Sequence, residues 1–91
     1  MEIIPGWLNI DEKHMVPALQ EAVAKLDNTE GETVLDLGSV SRINSSALRA
    51  LEDFVGVADN KGIKVVLRGV NVNVYKVLKL AKLAHRVSFT N

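Results

Sequence analysis

The chain has 91 residues, 47% hydrophobic and 24% charged, with eleven basic and eleven acidic side chains that cancel. That length makes a single domain, residues 1–91, with a modest core, and the charge balance argues against a nucleic-acid binder or a polybasic membrane-surface protein without excluding a local patch. Disulfides, thiolate metal sites and cysteine nucleophiles are excluded because no cysteine is present, two histidines are too few for a convincing metal site, and no apolar run approaches the ~20 residues that span a membrane.

The N-terminus has no basic region and no signal-peptide core, so a cytoplasmic location is expected. Residues 2–10 are apolar with Pro5-Gly6 in the middle, which reads as an edge segment broken by a turn. Trp7 in this piece is expected to pack on the core. Residues 16–27 carry Val16, Leu19, Val23 and Leu26 at helical spacing, with Pro17 in the first turn and Asp11 as the cap of an earlier start. Residues 33–37 lack clean alternation, the pattern of a strand covered on both faces.

A second helix is predicted over residues 46–60, with Ala47, Leu51, Phe54, Val55 and Ala58 on one face. Asn60-Lys61-Gly62 stops it, with Gly62 at C′. Ile63–Leu67 is another buried strand. A third helix is predicted over 72–83, with Val74, Val77, Leu78 and Ala81 on one stripe, and Val87–Phe89 is a last short strand. Strands alternating with helices imply α/β architecture: a small parallel or mixed sheet of about four strands with three to four helices. Ligands and partners of such sheets meet the chain beyond the carboxyl ends of the strands. The turn from Gly38 to Ser46 lies there, and Asn44 or Ser45 opens the following helix as its N-cap.

Val34-Leu35-Asp36-Leu37-Gly38 followed by Asn44-Ser45-Ser46-Ala47-Leu48 resembles a strand and helix start of STAS domains, the fold of anti-sigma-factor antagonists. Lys61–Leu67 is similar to that family's next strand and Val74–Leu83 to its last helix. The resemblance covers nearly the whole chain and implies a non-catalytic, protein-binding regulatory domain. It places docking at Asn44, Ser45, Ser46, Ala47 and Leu48, with Arg42 and Arg68 near the same end of the sheet. Ser45 stands at the family's phosphoacceptor position, with Ser46 as the weaker candidate. Implied partners are an anti-sigma serine kinase or, because Val40-Ser41-Arg42, Gly69-Val70-Asn71 and Val74-Tyr75 are similar to the STAS subunit of bacterial phospholipid-transport ABC systems, an ABC ATPase subunit.

Asn44 replaces the family's acid, Ala47 its glycine, and Lys82 its late glycine. The family's first N-terminal strand is expected to be absent, and a homodimer or a partner chain would then cover the exposed sheet edge. No cofactor, metal, nucleic acid or direct membrane insertion is expected. An enzyme with Ser45 as nucleophile would need a base in reach and a group to orient it. His14 and His85 lie in regions that need not approach it, and no Gly-x-Ser-x-Gly elbow or glycine-rich phosphate loop is present.

Overall fold

The computed structural model describes residues 7–90. The elements run β1 (Trp7–Asn9), α1 (Met15–Lys25), β2 (Glu32–Asp36), α2 (Ser45–Asn60), β3 (Lys64–Arg68), α3 (Val72–Leu80) and β4 (Ser88–Thr90). Single 3-10 turns at Glu12–His14, Leu26–Asn28 and Ala84–Arg86 flank the helices. Both outer helices are shorter than the apolar spacing predicts. Their last residues tighten into turns, which satisfy the final carbonyls of a helix within a short link.

All four strands are parallel and lie in chain order, β1-β2-β3-β4. Successive right-handed crossovers in one direction set the helices on one face of such a sheet. One contiguous core agrees with this, joining Leu19 of α1, Leu51 and Phe54 of α2, Leu78 of α3, and Leu35, Val65 and Leu67 of the strands. Burial of this core stabilises the fold by ~1.5–3 kcal/mol for each large apolar side chain removed from water.

The two-faced burial that the apolar runs suggest holds in β2, where Thr33, Val34 and Leu35 are buried in succession, but not in β3. In β3, Val65 and Leu67 are buried while Val66 and Arg68 are half-buried. Pairing Val34 with Val66, and Asp36 with Arg68, puts these residues on the sheet face away from the core cluster. Among the described residues β1 is the edge strand beside β2, as Pro5-Gly6 suggests. Pro5, Gly6, the segment before them and the Trp7 side chain lie outside the described residues.

The helices α2 and α3 begin and end alike. Asn44 and Asn71 are their N-caps, each accepting a 2.8 Å bond from the third helical N–H, of Ala47 and Val74 respectively. At the α2 end, Ile63 N–H donates to Ala58 and Gly62 N–H to Asp59; at the α3 end, Leu83 donates to Leu78 and Lys82 to Lys79. Both are Schellman motifs, which need a left-handed residue after the cap. Gly62 supplies it at φ 70°, as the sequence predicts, whereas Lys82 adopts φ 63° with a side chain in the way. A left-handed L-residue costs roughly 1–2 kcal/mol.

Lys82→Gly is therefore expected to raise stability by about 1 kcal/mol, which moves the melting temperature of a domain of this size up by ~4–8 °C. Thermal and urea unfolding followed by circular dichroism check this. An unchanged midpoint would show that the left-handed lysine is held without strain.

Candidate functional site

The segment from Leu37 to Asn44 leaves the carboxyl end of β2 and delivers the chain to α2. Leu37 N–H continues the ladder by donating to Arg68 at 2.8 Å, and Val40 N–H closes a turn on Leu37 at 3.0 Å. Val40 and Ile43 are buried and pin the segment to the core. Between these anchors the backbone is fastened by side chains from three neighbouring elements.

The first is Asp36, at the end of β2. Its Oδ1 accepts a 2.9 Å bond from Gly38 N–H, and its Oδ2 lies 3.3 Å from Nη1 of Arg68, its register partner on β3. Asp36 thereby orients the start of the turn. The second is Glu12, in the turn before α1. One carboxylate oxygen, Oε1, accepts from Ser41 N–H at 2.6 Å, from the Ser41 hydroxyl at 2.7 Å and from Arg42 N–H at 3.4 Å. The Ser41 hydroxyl and the backbone N–H groups stabilise the charged form and hold the Glu12 carboxyl below the usual glutamate range. The third is Asn71, whose Oδ1 caps α3 while its Nδ2 donates to the carbonyls of Val40 at 3.1 Å and Ser41 at 3.2 Å. Ser39 adds a 3.2 Å bond from its hydroxyl to the Ile10 carbonyl.

Close approach of two glycines completes the frame. A Cβ on Gly69 would lie 3.0 Å from Gly38 Cα, and Gly69 sits at φ 71°. The ends of β2 and β3 therefore touch without side chains between them.

Arg42, Asn44, Ser45 and Ser46 are exposed on this clamped turn and helix start. Of the two candidate caps, Asn44 fills the role, and Ser45 is the first residue of α2. Ala47 is turned into the core at 3% exposure, so it supports the helix start from beneath and offers no side chain to a partner. Leu48 is half-buried against the core. Arg68 is engaged with Asp36, so the two arginines expected at this end part company. A groove between α1 and α2 opens beside Ser46, lined by Val16, Val23, Arg49 and Asp53 among others, with a volume of about 250 Å³. A smaller recess of about 160 Å³ lies between Glu12, Arg42 and Asn44.

His14 is exposed and paired with Asp11 at 2.7 Å, which lowers the Asp11 pKa through the hydrogen bond; His85 is exposed too. Tyr75 packs edge-on against Phe89, with ring centroids 5.2 Å apart. Among the described residues no cluster of three metal-ligating side chains occurs, and no helix is long and apolar enough to cross a membrane.

Glu12 and Asn71 were not predicted as site residues. Asn71 has a signal, an asparagine just before an apolar helix, but only its Oδ1 role follows from that. Glu12 has none, because its partners lie 29 and 30 residues away.

A depressed carboxylate contributes stability above its unfolded pKa and loses it as pH falls through the folded one. Here the Glu12 clamp is expected to be complete above pH 4.5, its ordinary value, and to open on further acidification. Carbon-detected NMR titration of Glu12 should give a midpoint below 4.5, and Ser41→Ala should raise it. A midpoint that ignores Ser41 would remove the clamp.

A family model for the STAS domain matches residues 13–91. Over 54 residues the chain is 39% identical to the intermembrane phospholipid transport system binding protein MlaB of Escherichia coli (strain K12), and equally to that of Shigella flexneri. Each match covers 59% of this chain and 56% of the relative, so it spans about half the length of these relatives. The fold superposes with a TM-score of 0.77 on a crystal structure from Thermotoga maritima designated an anti-sigma factor antagonist, at 18% identity, covering 99% of this chain and 83% of that one. The family match over most of its length, with this parallel fold, makes the chain a member of the STAS domain family.

Proposed function

We propose that this chain is a non-catalytic protein-binding domain that docks through Arg42, Asn44, Ser45, Ser46 and Leu48. The carrying observation is that Asp36, Glu12 and Asn71 hold the backbone of the turn, Asn44 caps α2, and the side chains of Arg42, Ser45 and Ser46 face solvent. A partner that binds a pre-ordered turn loses little conformational entropy in doing so. The groove beside Ser46 extends the same surface along α1 and α2.

The partner we favour is the ATPase subunit of a phospholipid-transport ABC system, with this chain as the accessory STAS subunit. The likeness to MlaB supports that choice. A second version makes Ser45 a phosphoacceptor for an anti-sigma serine kinase, with the domain acting in transcriptional signalling. It draws on the exposure of Ser45 at the first position of α2. A phosphate there adds about −1.5 to −2 charge at the positive end of the helix dipole, and it would change what the turn accepts. Both versions place the protein in the cytoplasm as one domain.

Ser45→Asp and Leu48→Asp are each expected to weaken binding to the ATPase subunit by about tenfold or more, which is ~1.4 kcal/mol. Aspartate at the first position of a helix favours the fold, so a loss of binding in Ser45→Asp cannot be blamed on unfolding. Surface plasmon resonance with the candidate ATPase and kinase measures this. Binding at wild-type strength by both variants would place the interface elsewhere. Intact mass after incubation with the kinase and ATP tests the second version, which requires a phosphate gain that disappears in Ser45→Ala.

A further inference from the structure

The zero net charge hides a segregation. Every Asp and Glu of the chain lies at or before Asp59, and from Lys61 onward every charged side chain is Lys, Arg or His. Folding neutralises part of this: Lys61 pairs with Asp27 and Arg86 with Asp59, both at 2.7 Å, and Arg68 pairs with Asp36. Lys76, Lys79 and Lys82 are exposed, and their ammonium groups make no ion pair or hydrogen bond among the described residues. The +3 charge on the outer face of α3 and its end is thus unbalanced.

That face also carries apolar side chains that the core does not use. At 100° per residue, Val72, Tyr75, Lys76, Lys79 and Leu80 share the arc opposite the buried Val74 and Leu78. Val72 is 68%, Tyr75 41% and Leu80 85% exposed. Two shallow cavities of about 340 and 350 Å³ flank Tyr75, one towards Val70 and Phe89 and the other towards Lys79 and His85, and neither is lined by a carboxylate.

We infer that the outer face of α3 is a second interaction surface, separate from the docking turn, and that it takes an acidic protein helix. The charge complement required is negative, at a spacing of one helical turn to meet Lys76 and Lys79, with an apolar side chain to enter beside Tyr75. An anionic lipid surface fits less well. The continuous apolar stripe through Val74 and Leu78 is committed to the core, Val72, Tyr75 and Leu80 are interleaved with lysines rather than joined in a broad apolar face, and lysines alone supply only ~1 kcal/mol each at such a surface.

The test is fluorescence anisotropy with a labelled helical peptide bearing Glu one turn apart and Leu between them. The full-length chain should bind it, and Lys76→Gln/Lys79→Gln should weaken binding about tenfold, while Lys13→Gln/Lys25→Gln, which removes the same charge elsewhere, should leave it unchanged. These exposed substitutions leave the core untouched, and circular dichroism verifies the fold. Three outcomes overturn the inference: no binding of the acidic peptide, equal loss in both double variants, or binding instead to phosphatidylglycerol vesicles that depends on Lys76 and Lys79. Leu48→Asp should bind the peptide normally, so failure at α3 and failure at the docking turn are read separately.

Discussion

The pairing of β2 with β3 is the constraint on which the remaining architecture turns. Five residue pairs in register bring Asp36 opposite Arg68 and end both strands at the same level. Gly38 and Gly69 then meet without side chains, and the two following helices must start next to each other. From that proximity comes the double use of Asn71, which caps one helix and holds the turn leading into the other. A slip of one residue would reverse the faces of the strand and dismantle all of this at once.

Rigidity at the candidate site is made from polar bonds rather than apolar bulk. Glu12 concentrates three donors on one oxygen, and charge-assisted bonds of this kind are the stronger ones. The buried Val40 and Ile43 hold the ends of the same segment. The outward side chains of Arg42, Ser45 and Ser46 are left to solvent, an arrangement suited to recognition without local folding. The α3 face differs in kind, because its lysines and apolar side chains sit on a regular helix with no such clamp.

The left-handed lysine illustrates how a fold outlasts a local preference. Both long-range demands, returning the chain to β4 and satisfying the last carbonyls of α3, are met by the same hydrogen-bond pattern that ends α2. Gly62 meets it freely. Lys82 meets it under strain, because the Leu83 contact with the core compensates.

Periodicity and capping chemistry were enough to place three helices, the β2, β3 and β4 strands and the turn near Ser45, since those signals are local. The family resemblance likewise rests on short motifs read in order. Parallel pairing in strict chain order, one-sided coverage of β3, and the division of labour between exposed Ser45 and buried Ala47 required the tertiary structure. So did the roles of Glu12 and Asn71, whose partners are some thirty residues distant. The same holds for the charged face of α3: the basic run is visible along the chain, but only folding decides which lysines keep an acidic neighbour and which do not. Local signals record what a segment prefers by itself, whereas a site assembled from several segments exists only once the sheet has brought their ends together.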